Sequence, residues 1–273
     1  MRKRLFQQSI SYLSFLNIKT FKVLIAGVLF SISGENITLA QADWISGKPE
    51  RVISFSGFDW LVKSSHNTIT GRMAPGDNYF SDSKENVWVD KNGWLHLKIT
   101  KKNDKWYCAE VTLTKPLGYK RYIFQVNSRV DQYHQNVVGG LFTYLDGTDN
   151  AEEIDIELSR WGDNKNANIL YAIQPSDSIG NTKSFRLDLN GDASTHQFDW
   201  KSENVVFKSY HGHYTSTPTD SKLIVNEWNY SGKYVPTDAN GKVHINLWLF
   251  QPKKIDPNDL LETELVINSF EAL

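Results

Sequence analysis

Beyond residue 42, apolar and polar residues alternate in short runs, and Gly, Asn, Asp and Pro separate one run from the next. Strict alternation is typical of half-buried β-strands, and no stretch shows the periodicity of a long helix. The clearest pair of runs is Val87–Val89 and residues 94–100; the Asp-Lys-Asn-Gly between them predicts a β-hairpin. Further strands are predicted at residues 110–114, 122–129, 140–144, 153–158, 169–174, 185–189, 197–200, 204–210, 222–230, 243–250 and 264–271.

The spacing of these runs predicts an all-β fold. Strands recur at intervals of roughly ten residues with turn residues between them, which is typical of two antiparallel sheets packed face to face as a β-sandwich. No internal repeat or low-complexity linker divides residues 43–273, so we expect them to form one domain. A chain of 273 residues is long enough to bury a sizeable core.

Composition and charge exclude several functional classes. The net charge of −1 argues against a nucleic-acid binder built on a basic face, and we predict no nucleic-acid partner. The one cysteine, Cys108, excludes an intrachain disulfide and a cysteine-based zinc or iron–sulfur site. Aromatic residues make up 13% of the chain, which suits β-sheets and also sugar binding, because flat rings pack against the C–H faces of pyranoses.

Residues 1–42 differ from the rest of the chain and have the order of a secretory signal. A basic region precedes an apolar run at residues 23–32, which is too short to span a bilayer. An Ala-Gln-Ala cleavage site follows at residues 40–42. Cleavage near Ser33 and an uncleaved membrane anchor are the alternatives. We therefore expect a secreted or periplasmic protein that has no membrane contact after cleavage.

The most informative segment is Glu153-Ile154-Asp155-Ile156-Glu157. Side chains alternate between the two faces of a strand, so the isoleucines point to one face and the three acids to the other. Acids form strands poorly, and like charges on one face repel each other. Such a stretch is more often a functional site, and a solvated acidic strand face is the alternative.

Carboxylates on one face suit glycoside hydrolysis. That reaction needs one carboxylate as nucleophile and one carboxylic acid to protonate the leaving oxygen. The Cα atoms of Glu153 and Glu157 would lie about 13 Å apart along a strand, and side chains leaning inward over a concave sheet would close much of that gap. Asp155 lies between them, and its charge would raise the proton affinity of a neighbour. These residues alone leave open which glutamate has which role.

The five-residue segment resembles the signature of glycoside hydrolase family 16, especially of its bacterial lichenase-type branch. Further similar stretches occur in the family's order within residues 55–273, namely at residues 107–110, 117–122, 141–144, 198–200, 245–248 and 266–271. The resemblance implies a concanavalin A-like β-jelly roll and retaining β-glycanase activity. It also implies that Glu153 is the nucleophile, that Glu157 is the acid/base, and that Asp155 tunes the pair.

The resemblance further implies a sugar-binding cleft. Glu110, Tyr144 and Trp248 match cleft positions of the family, and Asn246 shares a strand face with Trp248 by alternation. Trp161, just after the acids, is either a sugar platform or a loop-packing residue. Alternatives remain for the others, because Glu110 fits a surface charge and the rings of Tyr144 and Trp248 fit a core.

Some positions depart from the lichenase pattern. Val111 and Thr112 leave no place for the arginine that is usual after the glutamate, and Lys120 replaces a usual glycine. The reaction type survives these changes, but specificity for mixed-linkage glucan does not follow. His211 and His213 lack a nearby third ligand, so we predict no metal site there. We predict no cofactor; a structural calcium, common in the family, is not predictable from the sequence.

Together these observations predict a secreted, monomeric, retaining endo-glycosidase of the β-glucanase type, which binds a polysaccharide and hydrolyses O-glycosyl bonds of a β-linked glucan or a related polymer. A non-catalytic, lectin-like module on the same fold is an alternative, but a lectin has no need for three crowded carboxylates. A transglycosylase, which uses the same acids, is a further alternative.

Overall fold

The computed structural model describes residues 50–66, 68–148, 152–256 and 258–273. The predicted signal region, residues 1–42, lies outside the described residues. Within the described ranges no helix is long and apolar enough to cross a membrane. Sixteen strands form there, which in chain order are β1 Arg51–Phe55, β2 Phe58–Val62, β3 Tyr79–Phe80, β4 Val87–Val89, β5 Leu95–Lys102, β6 Lys105–Leu113, β7 Arg121–Asn127, β8 Val137–Tyr144, β9 Glu153–Ser159, β10 Ile169–Ile173, β11 Thr182–Phe185, β12 Ala193–Trp200, β13 Val205–His211, β14 Ile224–Tyr230, β15 Lys242–Leu249 and β16 Thr263–Ala272.

The strands form two antiparallel sheets that meet at the β5–β6 hairpin. The first, which we call the acid sheet, has the order β1-β2-β6-β15-β8-β9-β10-β11. The second sheet has the order β4-β5-β16-β7-β12-β13-β14. The short strand β3 adds to β6 in parallel. The prediction of an all-β sandwich is therefore confirmed.

The two sheets pack face to face around an apolar core. Tyr171 of β10 stacks on Phe207 of β13, with ring centroids 4.8 Å apart. Trp60 of β2 contacts Phe270 of β16 edge to face at 5.2 Å. Because aromatic rings bury large apolar areas, these contacts hold the acid sheet against the second sheet.

The predicted hairpin between β4 and β5 is confirmed. The backbone N–H of Asp90 donates to the carbonyl oxygen of Trp94 at 2.9 Å. The Asp90 carboxylate accepts from the backbone N–H groups of Asn92 and Trp94, each at 2.9 Å. Gly93 has a φ of 81°, which glycine adopts without strain. The Asn-Gly pair and the Asp side chain therefore make the turn together.

The predicted strand at residues 185–189 is wrong over most of its length. β11 ends at residue 185, and residues 186–189 belong to no strand. The backbone N–H of Leu187 donates to the Asn168 side chain at 2.8 Å, and that of Leu189 donates to the Asp131 carboxylate at 3.3 Å. Because side chains satisfy this backbone, no neighbouring strand is needed.

Other differences concern elements that local sequence signals describe poorly. The pattern missed β1 and β2, which a tight Ser56-Gly57 turn joins with φ values of 50° and 79°. It also missed β3. Residues 222–223 lie in a 3₁₀ turn rather than in β14, because the Asp220 side chain accepts from the backbone N–H of Lys222. That residues 43–273 form one domain stays a prediction.

Candidate active site

β9 carries the acidic segment with the alternation that the sequence predicts. Ile154 and Ile156 are fully buried in the core. The three acids lie on the other face, where Asp155 is 3% exposed and Glu153 and Glu157 are half-buried. β8 and β10 pair with β9 on its two sides. Because both edges of the strand are hydrogen-bonded, the three carboxyl groups have a rigid base.

Aromatic rings of β8 face two of the three acids. Tyr144 is the cross-strand partner of Glu153, and Phe142 is the partner of Asp155. Phe142 in turn stacks on His244 of β15, with centroids 4.8 Å apart and planes at 21°. Directly paired residues share a face of the sheet, so these half-buried rings flank the acids.

The third acid lies in a row that crosses four strands. Gly140 of β8 is opposite Glu157, Asn246 of β15 is opposite Gly140, and Glu110 of β6 is opposite Asn246. We call this the Glu157–Glu110 row. A Cβ atom at Gly140 would lie 2.5 Å from the Asn246 Oδ1. Gly140 is therefore required for the Asn246 side chain to lie over β8.

The three carboxyl groups hold their protons unusually tightly. Burial, and then the charge of Asp155, raises the pKa of Glu153 well above its ordinary value. The same two causes raise the pKa of Glu157. Burial raises the pKa of Asp155 to about 7, although hydrogen bonds with Gln174 and Glu153 oppose that shift. Near neutral pH the group therefore retains protons, and at least one acid is available to protonate a leaving group.

Sequence reasoning missed Gln174, the residue that follows β10. Its backbone N–H donates to the carbonyl oxygen of Glu153 at 3.2 Å. Its side-chain Nε2 donates to Asp155 Oδ2 at 3.0 Å. Only the register of β10 on β9 reveals this contact, and no local signal marks Gln174 in the sequence.

Glu110 is the centre of a second charged group, which we call the Glu110 cluster. Lys63 Nζ donates to Glu110 Oε2 at 2.8 Å. His244 Nδ1 lies 3.1 Å from Glu110 Oε1 and 2.9 Å from Thr112 Oγ1. Burial alone would raise the pKa of Glu110, but the charges and hydrogen bonds of Lys63 and His244 together lower it to about 2. Glu110 is thus a permanent anion on the same sheet face as the acids.

The resemblance assigns Trp248 to a cleft position, but other parts of the chain cover its ring in the structure. Trp248 is 7% exposed and belongs to the core. Trp161 packs against it edge to face at 5.9 Å. The loop around Gly76 also covers it, since a Cβ there would lie 2.8 Å from the Trp248 ring. Asn78 ties that loop to β15 by donating to the carbonyl oxygen of Leu249 at 2.9 Å.

The remaining predicted cleft residues have mixed settings. Tyr144 is half-buried beside His244, with ring centroids 6.1 Å apart. Asn246 is 3% exposed, and its Oδ1 has no hydrogen-bond partner within the described ranges. Trp161 is half-buried at a positive φ of 51°, a backbone conformation that bulky residues rarely adopt. Tyr144 and Asn246 thus lie on the same face of the acid sheet as the three acids, whereas the Trp161 ring mainly packs against other rings.

No metal centre is visible in the part of the chain that the structure describes, where no three His, Cys, Asp or Glu side chains converge to hold an ion. His213 Nε2 instead donates to the carbonyl oxygen of Val126 at 2.9 Å. A cavity of about 580 Å³ lies elsewhere, between the end of β7 and the start of β16. None of the predicted site residues lines it.

No protein-family model matches the chain, and no curated protein sequence matches it. Solved structures do share its fold. A β-glucanase of Bacillus licheniformis is 17% identical with a TM-score of 0.53, over 84% of this chain and 95% of that chain. A β-1,3-glucanase from Mycobacterium marinum is 13% identical with a TM-score of 0.57, over 78% and 90%. An immunostimulatory antigen and pseudo β-1,3-glucanase of Mycobacterium tuberculosis is 16% identical with a TM-score of 0.54, over 77% and 88%. The chain therefore has a glucanase-like jelly-roll fold.

Proposed function

We propose that the chain is a retaining endo-glycosidase that hydrolyses a β-linked glucan or a related polysaccharide. The observation that carries the proposal is the set of three carboxyl groups on one face of β9, all with raised pKa values. Burying three like-charged groups together is costly for folding, so an arrangement of this kind favours a catalytic role. The glucanase-like fold agrees with that role.

In the proposed reaction, Glu153 attacks the anomeric carbon while the glycosidic C–O bond breaks. Glu157 gives its proton to the departing oxygen, and a glycosyl ester forms on Glu153. Water then attacks the anomeric carbon of this ester while Glu157 takes a proton from the water. The bond between the anomeric carbon and Glu153 breaks, and Glu153 leaves as a carboxylate. These roles follow the family resemblance. They fit the pKa of Glu157, which burial and then the charge of Asp155 raise well above its ordinary value, as a general acid requires.

In this scheme Asp155 allows Glu153 to be ionised although the pKa of Glu153 is raised. Glu153 must be ionised to act as a nucleophile, yet burial and Asp155 raise its pKa. The two carboxyl groups are hydrogen-bonded to each other, so they share protons. When the shared proton is on Asp155, Glu153 is a carboxylate with a hydrogen-bond donor beside it. This division of protons keeps the nucleophile charged without leaving two adjacent charges.

Substrate binding is proposed on the same face of the acid sheet. Tyr144 and Phe142 offer half-buried rings for stacking on pyranoses, and Asn246 and the Glu110 cluster offer hydrogen-bonding groups for hydroxyls. We further propose that the polysaccharide is the only partner that the reaction needs, and that the chain acts outside the cell or in the periplasm.

The test is an activity screen of the purified chain on barley glucan, laminarin, xyloglucan, agarose and carrageenan. Release of reducing ends by the wild type, and its loss in Glu153→Gln, is the expected result. Proton NMR should detect the β-anomer as the first product, whereas initial release of the α-anomer would contradict retention. Glu203→Gln, in an exposed turn of the second sheet, is the matched control and should be fully active.

Two other results would replace this proposal. Binding of a polysaccharide with no cleavage by the wild type would assign the chain to carbohydrate-binding modules. Transfer of glycosyl units to an added oligosaccharide, with no net gain of reducing ends, would make it a transglycosylase.

A further inference from the structure

The amide of Gln174 is held at both of its ends. Its Nε2 donates to Asp155 Oδ2 at 3.0 Å, and its Oε1 accepts from the backbone N–H of Ser176 at 2.8 Å. If the Gln174 amide were reversed, its oxygen would face the Asp155 carboxyl group and its NH₂ group would face the Ser176 N–H. The orientation is therefore fixed, and a donor always faces Asp155.

The loop that supplies the Ser176 N–H is itself fastened. Asn181, which is 2% exposed, donates from Nδ2 to the carbonyl oxygen of Pro175 at 3.1 Å. Its Oδ1 accepts from the hydroxyl group of Tyr230 at 2.8 Å. The series Tyr230, Asn181, Ser176 and Gln174 thus forms a rigid support behind Asp155, which is how buried polar groups orient a reacting group.

This donor constrains where the proton of Asp155 can be. The carbonyl oxygen of a neutral carboxyl group accepts a hydrogen bond more strongly than its hydroxyl oxygen does, so the donor at Oδ2 favours the Asp155 proton on Oδ1. We propose that Gln174 is a positioning residue, which holds the Asp155 proton on the carboxyl oxygen opposite Oδ2, so that Asp155 donates to the Glu153 carboxylate and keeps the proposed nucleophile ionised. The inference rests on the proposed function for its kinetic consequences, whereas the contact with Asp155 is independent of it.

Few other charged groups face Asp155 in the described parts of the structure. Glu153 and Glu157 lie on its own strand. Tyr144 is the titratable neighbour on β8, and His244 lies one strand farther on β15. On β10 the paired residue is Ala172, so Gln174 is the polar neighbour from that side. Loss of its donor is expected to raise the pKa of Asp155, because the hydrogen bond stabilises the carboxylate.

The first measurement needs no activity. Carbon-13 NMR of selectively labelled aspartate carboxyl groups should give an apparent pKa for Asp155 about one unit higher in Gln174→Met than in the wild type. Gln174→Glu keeps the acceptor for the Ser176 N–H and loses the donor, so it should shift in the same direction and serves if the Met variant folds poorly. Gln125→Met, a half-buried site on β7 of the second sheet, is the matched control and should leave the titration unchanged. An unchanged Asp155 titration in both Gln174 variants would overturn the proposal.

The second measurement is the pH dependence of kcat/KM. In Gln174→Met the Asp155 proton can occupy Oδ2, which leaves the Glu153 carboxylate without its hydrogen-bond donor, so the pKa of Glu153 should rise. Because the nucleophile must be ionised, the acidic limb should then move about one pH unit upward, which is about a tenfold loss at a fixed pH on that limb. KM should change less than about twofold, since the loss is in protonation. A profile identical to the wild type would overturn the positioning role. If the wild type cleaves no substrate, the proposed function fails, while the NMR titration still decides whether Gln174 controls the proton of Asp155.

Discussion

Glu157 and Glu110 are two glutamates at opposite ends of one row, with similar backbone settings and opposite electrostatics. Both lie on inner strands of the acid sheet and on the same face. Burial and the charge of Asp155 raise the pKa of Glu157. Burial acts on Glu110 as well, but Lys63 and His244 lower its pKa to about 2.

The difference teaches that neighbouring side chains decide what a buried carboxyl group does. Glu110 has an ammonium group 2.8 Å away and stays ionised, so it can orient a substrate but cannot give a proton. Burial and the charge of Asp155 raise the pKa of Glu157 well above its ordinary value, which suits a general acid. One sheet face therefore provides a fixed charge and an exchangeable proton a few strands apart.

The largest effect that should distinguish the two glutamates is on turnover. Glu157→Gln is expected to lower kcat by about 10²–10⁴-fold, because it removes the proposed proton donor. Its Tm should stay equal or rise, since a crowded acid is replaced by a neutral isostere. Steady-state kinetics and thermal unfolding of the same preparation give both values. Wild-type kcat in this variant would show that Glu157 is not the acid.

The second effect is on stability and belongs to the other end of the row. Lys63→Met leaves Glu110 buried without its cation and should lower the free energy of unfolding by about 3 kcal/mol in urea titrations. Lys201→Met is the control, because Lys201 pairs with Asp199 at 3.2 Å in an exposed setting. That change should cost less than about 1 kcal/mol. Equal losses in the two variants would contradict the distinct role of the Glu110 cluster.

The pKa shifts of Glu110 and Asp155 have opposite signs, so the two residues should change the pH dependence of the free energy of unfolding in opposite directions. The lowered pKa of Glu110 stabilises the fold above its ordinary value of 4.5, and that contribution is lost as the pH falls toward about 2. The raised pKa of Asp155 stabilises the fold below its ordinary value of 3.8, and that contribution is lost as the pH rises through about 7. The free energy of unfolding in urea should be measured across this pH range. Compared with the wild type, it should fall less at acidic pH in Glu110→Gln and fall less as the pH rises through about 7 in Asp155→Asn. An unchanged pH dependence in the two variants would refute the assignment.

The smallest expected effect concerns one hydrogen bond of the Glu110 cluster. Thr112→Val removes the hydroxyl group that lies 2.9 Å from His244 Nδ1 and should cost about 1 kcal/mol of unfolding free energy. Thr143→Val is a close control, because the buried Thr143 Oγ1 has no hydrogen-bond partner within the described residues. That variant should be neutral or slightly stabilised. A larger loss in the control than in Thr112→Val would show that the contact with His244 contributes little.

The parts of the fold that the sequence predicts well are those with local causes. The Asn-Gly hairpin and the alternation along β9 each depend on residues that are adjacent in the chain. The predicted strand over residues 186–189 is wrong because Asn168 and Asp131 satisfy that backbone from distant positions. A local apolar pattern carries no information about partners of that kind.

The candidate site divides in the same way. The three acids are identified by their spacing, but Lys63 and Gln174 are not, since their contacts join positions 47 and 19 residues apart. The sequence does not reveal that Trp248 is covered, because the loop that folds over it comes from far along the chain; Asn78 and Leu249 are 171 residues apart. The surroundings of Lys63, Gln174 and Trp248 depend on the register between strands and on the placement of loops. Neither is encoded by residues that are adjacent in the sequence.

The absence of a side chain at Gly140 has a consequence for directed evolution of the proposed cleft. Any larger residue there would meet the Asn246 Oδ1 at 2.5 Å and the Phe142 ring at 3.3 Å. A library that randomises the cleft would therefore lose most members that change position 140, whatever their chemistry. Positions 142 and 144 carry half-buried rings whose substitution leaves the backbone free to pair. Engineered changes of substrate preference are thus expected to accumulate at 142 and 144 around an invariant glycine.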